Sequence, residues 1–396
     1  MRLTIAGPFF DASGYAQANR ILANGLLRAT VDVRILPMDG NRVPAGMSTE
    51  EEANWRSRMV STPPADEPVV YSGLPEGYFQ PGRGCPAVGL TMLESDRIPQ
   101  AWVRICNRMD QVWVPSSFNA STFAESGVYA EKLRILPLGV DPELFSPSVP
   151  AYPLDTGGKF VFASVSEWVP RKGQDILLRA YLNTFTAADP VLLVLKTYDG
   201  HLADPGGGQV RRRVAALEKE VGPASGAPAV HLITEPLPAS QLPGLYTLAD
   251  CFVLPTRGEG WCLPALEAMA CARPAILTAW SAPLDYLNPE NSYPLPVEKL
   301  VPVLPCNHPT DGVYSGSRWA EPSLQALCQL LRHACDHRTE TAAKGKRARA
   351  DVLSRFTVGH TAALAKRYLD EASRRGSGEI INVPQKLNVS DDTPAK

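Results

Sequence analysis

The sequence predicts an α/β protein built from two consecutive doubly wound parallel-sheet domains, and three observations carry that expectation. Short β-branched runs alternate with helix-period stretches almost throughout, beginning with LTIAG (3–7), a helical stretch over 15–28 and VDVRIL (31–36). Strand, helix, strand is a βαβ unit, which requires a parallel sheet. The alternation stops at DPELFSPSVPAYPLDTGG (141–158), rich in Pro, Ser and Gly and without period, and then restarts, as it would across a linker between domains. At 396 residues and ~150 per domain, the chain can bury two cores without disulfide or metal support.

The elements follow in order. After the first βαβ unit, residues 38–68 are Pro-, Asp-, Glu- and Ser-rich and read as an irregular insertion. VVYS (69–72), PAVGLTM (86–92), QVWVP (111–115) and KLRILP (132–137) supply strands, with helices near 99–109 and 117–126, the second closed by Gly127. Beyond the linker, FVFASVS (160–166), VLLVLKT (191–197), AVHLIT (229–234), CFVLPT (251–256) and PAILT (274–278) form a second strand set. Helices near 172–186, 208–221, 240–249 and 264–272 separate them, and three more follow near 321–337, 339–355 and 358–374. The expected division is 1–145, 146–357, a helix at 358–375, and a mobile tail at 376–396. Ligands of such sheets bind outside the carboxyl ends of the strands, so the cleft between the domains is the expected site.

Composition excludes several classes. Hydrophobic residues at 44% and charged residues at 20% are globular values. No apolar run reaches the ~18 residues of a membrane-spanning helix. Thirty-nine basic and 41 acidic residues leave a formal charge of −2, so nucleic acid is not an expected partner. The opening MRLTIAGPFF reads as a buried strand rather than a secretory signal. Eight cysteines form no C-x-x-C pair and read as reduced thiols of a cytoplasmic protein. His333, Cys335 and His337 have no third ligand in view and read as an exposed helix face. Arg211 to Arg213 read as a solvated face, as does the run Lys344, Lys346, Arg347 and Arg349, the one candidate for peripheral contact with an anionic membrane.

The stretch LPTRGEGWCLPALEAMACARP (254–274) carries the chemistry. A strand ends at Thr256, a glycine-rich loop follows, and Pro264 suits the first position of a helix. The N–H groups around Gly260, Trp261, Cys262 and Leu263 then face an anion from a positive helix end, with Gly258 and Gly260 allowing close approach or positive φ. EGWCLPALE (259–267) resembles the E-x7-E motif of the retaining GT-B glycosyltransferases of family GT4. LPLGVDPELFSP (136–147), PRKGQDILLRAY (170–181) and ARPAILTAW (272–280) resemble three flanking segments of that family in the same order. The resemblance covers most of 1–375 and is weakest over 38–85.

That resemblance implies two Rossmann-like domains facing a cleft, the first for a hydroxyl acceptor and the second for a nucleoside-diphosphate sugar, a UDP-sugar being the commoner choice. It implies that the 358–375 helix crosses back to the first domain, and that a hexosyl group is transferred with retention. Glu259 would hold the donor sugar, Glu267 the ribose, and Lys172 the diphosphate. Gly14 and Tyr15, in GPFFDASGYAQ (7–17), would approach the diphosphate, and Glu94 in TMLESDRIP (91–99) would contact the acceptor. The family arginine five residues before Lys172 is replaced here by Glu167, so Arg171 is the candidate to supply the guanidinium. No Asp-x-Asp motif stands in a suitable loop, so no metal and no cofactor is expected, and cationic side chains must hold the leaving-group charge. Two alternatives stay open: a sugar-nucleotide 2-epimerase, which shares the GT-B architecture, and a non-catalytic sugar-nucleotide-binding partner protein, to which Glu167 lends support. No motif specifies the base, the acceptor or an oligomeric state.

Overall fold

The computed structural model describes residues 1–39, 46–78, 85–199, 204, 206–222, 226–235, 237–238, 240–303 and 311–376. The first sheet holds β1 (Arg2–Gly7), β2 (Asp32–Pro37), β3 (Val69–Ser72), β4 (Ala87–Leu90), β5 (Gln111–Val114) and β6 (Leu133–Ile135), with α1 (Gly14–Arg28), α2 (Thr49–Arg56), α3 (Gln100–Cys106) and α4 (Ser117–Glu125) between them. The second holds β7 (Phe160–Glu167), β8 (Val191–Tyr198), β9 (Ala229–Ile233), β10 (Cys251–Leu254), β11 (Ala275–Thr278) and β12 (Tyr293–Leu295), with α5 (Gln174–Thr184), α6 (Gly208–Val221), α7 (Leu242–Leu248) and α8 (Leu263–Ala270). A hairpin, β13 (Val297–Pro302) and β14 (Arg318–Pro322), precedes α9 (Leu324–Asp336), α10 (Arg338–Arg355) and α11 (Val358–Gly376).

Strand order positions the site. The first sheet runs β2-β1-β3-β4-β5-β6 and the second β12-β11-β10-β7-β8-β9, and every recorded pairing within both sheets is parallel. Successive connections reverse direction between β1 and β3 in one sheet and between β7 and β10 in the other. At such switch points the adjacent loops diverge and leave a crevice for a ligand.

The domains meet along the chain's two crossings. Val140 donates to Phe356 O at 2.9 Å and Val358 donates to Val140 O at 3.0 Å, a one-residue parallel bridge between Val140 and Thr357. From there α11 lies against the first domain, with Tyr368 Oη donating to Ile135 O at 3.0 Å. One buried cluster joins Ala18, Leu138 and Val140 to Trp261, Leu263, Tyr286 and Phe356, so the core is continuous across the cleft floor.

Four local expectations are corrected. Residues 38–68 are not wholly irregular: Ser48 caps α2 by accepting from Glu51 N at 3.1 Å; residues 40–45 lie outside the described set. The expected 321–337 helix begins at Leu324, capped by Ser323, because Arg318–Pro322 pairs antiparallel with Val297–Pro302. The expected helix from 172 begins at Gln174, after a tight turn Pro170–Lys172 closed by Gly173 at φ +69°. Pro264 is the second residue of α8, not the first. The tail expected to be mobile lies outside the described residues from 377 onward, as does Cys306; the other seven cysteines are free thiols.

Candidate active site

Lys172 reaches the cleft because of its turn. Gly173 follows in the left-handed region, and a Cβ there would sit 2.0 Å from Pro255 O, so only glycine fits. That contact presses the loop after β7 onto the loop after β10. Arg257 N donates to Arg171 O at 2.6 Å and Thr256 Oγ1 to the same oxygen at 3.0 Å. The Arg257 guanidinium then spans Asp175 at 3.2 Å and Glu321 at 2.7 Å, besides donating to Pro170 O. Arg257 escaped notice in the sequence because its partners come from two segments, 170–175 and Glu321, each more than 60 residues away.

The two loops bring Arg171, Lys172 and Glu259 together, and Glu94 of the first domain joins them. Lys172 Nζ donates to both Glu259 oxygens, at 2.7 and 3.0 Å. Arg171 lies 3.6 Å from Glu259 and 3.3 Å from Glu94, and donates to Gly258 O at 2.8 Å. Tyr314 Oη, from the hairpin connection, donates to Glu94, and Arg318 pairs with Asp96 at 2.8 Å. Thus Arg171 turns inward, where its guanidinium was needed. Burial alone would raise the Glu259 carboxyl; the Lys172 ammonium and the Arg171 guanidinium outweigh it and hold that carboxyl below the ordinary value. For Arg171, burial works against the charge, but Glu94, Tyr314 and Glu259 raise its pKa well above normal. Both groups are therefore ionised across the neutral range.

Above this cluster stands the N-terminus of α8. Its cap, Cys262, has φ +74° and ψ +66°, a region where a non-glycine side chain is strained. Among the described residues, no acceptor is recorded for the N–H groups of Gly260 to Leu263, which the helix dipole makes a positive patch. The Trp261 ring points away from it: it is 2% exposed, donates to Leu138 O at 2.7 Å and packs edge-on to Tyr286 and Phe356. Only its backbone faces the site. Glu267 is 1% exposed and accepts from Tyr246 Oη at 2.7 Å and from Gln17 of the first domain. Burial pushes its carboxyl up to about 7, against the opposing pull of those two hydrogen bonds.

Several sequence readings change. Gly258 and Gly260 do not use positive φ; a Cβ at Gly258 would meet Glu94 O at 2.1 Å and one at Gly260 the Met92 side chain at 2.7 Å. Their first service is to let the first domain close on the loop. A Cβ at Gly14 would meet nothing within 4 Å, so packing gives no reason for glycine there. Tyr15 turns to the first sheet, with Oη donating to Met92 O at 3.0 Å. Three N–H groups of the 7–17 loop are already taken: Phe9, Phe10 and Asp11 donate to Asp39 Oδ1 at 2.8, 2.7 and 3.2 Å. His333 and His337 stack on each other at 4.1 Å. In the 344–349 run, Arg349 turns inward to Phe145 O and Ala270 O and Lys344 pairs with Glu340, while Lys346 and Arg347 stay exposed, Arg347 beside Asp351.

Comparisons with known proteins bear on the family likeness and the fold. Residues 158–299 match the family model described as Glycosyl transferases group 1. Over 204 residues the chain is 34% identical to the GDP-mannose-dependent alpha-(1-6)-phosphatidylinositol monomannoside mannosyltransferase of Mycolicibacterium smegmatis, covering 48% of this chain and 49% of that protein. It is 30% identical over 200 residues to the D-inositol 3-phosphate glycosyltransferase of Segniliparus rotundus, covering 47% and 42%. The chain therefore spans about half the length of the curated relatives it matches. Among solved structures, Anabaena HepE in complex with UDP and glucose superposes with a TM-score of 0.68 at 16% identity, over 94% of this chain and 100% of that one. Sucrose-phosphate synthase from Thermosynechococcus elongatus gives 0.67 at 16%, over 95% and 100%. These likenesses establish the fold, GT-B, with two Rossmann-like domains.

Proposed function

We propose that this chain, a GT4-like member of the glycosyl transferases group 1 family, moves a hexosyl group from a nucleoside-diphosphate sugar to an acceptor hydroxyl. The observation that supports it most is the convergence of Lys172, Arg171 and Glu259 beneath the open N–H groups of α8. As the sugar–oxygen bond breaks, the departing diphosphate gains negative charge, and preorganised cations and a helix N-terminus are the groups that stabilise it. In this reading Lys172, Arg171 and the α8 amides take that role without a divalent ion.

Glu259 holds the hexose hydroxyls and Glu267 the ribose. Glu267 must first exchange its Gln17 contact for a ribose hydroxyl. The family resemblance implies retention and no side chain stands as an obvious nucleophile, so in this reading the reaction runs by front-face attack through an oxocarbenium-like state, the leaving phosphate taking the acceptor proton. Three mannosyltransferase relatives are named for GDP-mannose, whereas HepE was solved with UDP and with UDP-glucose. GDP-mannose thus joins UDP-sugars as a candidate donor.

The test is a thermal-shift panel of UDP-, GDP-, ADP- and TDP-sugars on the full chain. A ligand at 100 times its Kd adds about 2.7 kcal/mol, so the true donor raises Tm visibly. If no member moves Tm, the donor assignment fails. Product analysis with donor alone separates transfer from epimerisation, and slow donor hydrolysis eliminates the non-catalytic binder.

A further inference from the structure

Residues 311–317, which lead into β14 of the second domain, lie against the first domain. Val313 and Tyr314 pack on its buried cluster with Leu93, Ile98 and Trp102. Where this arm joins β14, Arg318 N donates to Asp96 Oδ1 at 2.7 Å and Asp96 N to Arg318 O at 3.0 Å. Ser317 N donates to Tyr314 O at 2.9 Å, which fixes the turn that carries the phenol. We propose that Tyr314 is a positioning residue for the transfer reaction, acting through Glu94 to aim the Arg171 guanidinium. The proposal rests on the glycosyltransferase reading and deepens it.

The two oxygens of Glu94 are divided between two partners. Oε1 faces Arg171 Nη2 at 3.3 Å, and Oε2 accepts from Tyr314 Oη. A carboxylate and a guanidinium left to themselves favour a two-pronged pairing that takes both oxygens. Such a fork would draw Arg171 toward the first domain. The Tyr314 hydroxyl holds the second oxygen, so Arg171 keeps Nη1 on Gly258 O at 2.8 Å and 3.6 Å from Glu259. That edge faces the loop before α8, where in this reading the leaving diphosphate gathers charge. The Arg171 and Glu94 side chains are only 18% and 16% exposed, so water competes little for these contacts. Burial, and after it the Glu94 carboxylate, raise the Tyr314 hydroxyl well above its ordinary pKa, which keeps it a donor across the neutral range. With both oxygens engaged, Glu94 serves Arg171 before it serves an acceptor. Arg171 and Tyr314 belong to the second domain and Glu94 to the first, so the alignment exists only while the domains are together.

The test offers the full chain UDP-, GDP-, ADP- and TDP-glucose and the matching mannose donors, and measures nucleoside diphosphate release at saturation beside each Kd. Tyr314→Phe removes the hydroxyl and keeps the ring, with Tm reporting a folded variant. Its rate should fall about tenfold or more, while the donor Kd changes severalfold at most. Glu94→Gln, whose amide nitrogen cannot accept, should lower the rate comparably. Adding Tyr314→Phe to Glu94→Gln should cost less than about threefold further, because the two losses are one loss. Arg318→Met loosens the same domain contact without touching Arg171, and should keep the rate within about threefold of the wild type. A normal rate in Tyr314→Phe or in Glu94→Gln, fully additive losses, or an equal loss in Arg318→Met overturns the proposal and leaves the glycosyltransferase reading standing. A wild-type chain that releases no nucleoside diphosphate from any of these donors overturns that reading, and the proposal with it.

Discussion

Gln17, on the first helix of the first domain, donates its side-chain amide to Glu267, one turn into α8 in the second. The carboxylate has no cationic partner among the recorded contacts, only this amide and the Tyr246 hydroxyl. A titratable group sealed into a domain contact links the stability of that contact to pH.

The sign follows from the direction of the shift. Glu267 titrates at about 7 when folded, against 4.5 in a free chain, so the folded state binds its proton more tightly. Its stabilising contribution is complete below about 4.5 and is lost as pH rises through about 7, to the extent of about 3 kcal/mol. Chemical unfolding of the unliganded chain between pH 4 and 8 should show this decline. Glu267→Gln should flatten it, and an unchanged slope would refute the assignment.

Lys172 and Glu259 depend on each other. Removing one partner of a buried ion pair costs up to about 3–5 kcal/mol, and less here because Arg171 still faces Glu259. Lys172→Met should lower Tm, and adding Glu259→Gln should restore most of it. Activity should behave differently, each single variant losing about 10²–10³ in kcat and the double variant recovering none. Recovery of turnover along with Tm would assign the pair a purely structural role.

Arg257 touches no substrate in this reading, yet it fixes the turn that aims Lys172. Arg257→Lys keeps the charge and loses the planar fork that serves Asp175 and Glu321 together. A displacement near 1 Å costs up to about 10²-fold in rate, so kcat should fall by that order while Kd for the donor changes severalfold at most. A fall in Tm alone, at normal kcat, would deny Arg257 a positioning role.

Cys262 is held at φ +74°, where glycine is unstrained and a β-branched residue is not. Cys262→Gly should leave Tm within the range of about 1 kcal/mol, relief of strain offsetting the lost thiol burial. Cys262→Val should cost about 1–3 kcal/mol and weaken donor binding by turning the α8 amides aside. Equal Tm values for the two variants would show that the backbone there is not strained.

The fold was legible where local period and parallel strands coincide, as in VVYS, which is β3 to the residue. Helix α2 was legible too, and overlooked: Ser48 with Glu51 three residues on is a capping-box signature, masked by the polar segment around it. The hairpin was not legible, because most of β13 faces solvent and carries no alternation. At the site, Lys172, Glu259 and Arg171 could be named from motif and charge. Gln17, Asp39 and Arg257 could not, since each acts through a partner far along the chain. Gly258 and Gly260 were read as space for an anion, and only coordinates reveal Glu94 and Met92 filling it.

The bridge between Val140 and Thr357 has a mechanical consequence. Both strands of covalent connection between the domains pass through it side by side, so they define a single line. Any relative movement that spares both is a rotation about that line, and its amplitude grows with distance from it. The pairs Tyr314–Glu94, Arg318–Asp96, Arg171–Glu94, Ser117–Asp285 and Gln17–Glu267 join the two domains away from that line, and such a rotation has to stretch or release them.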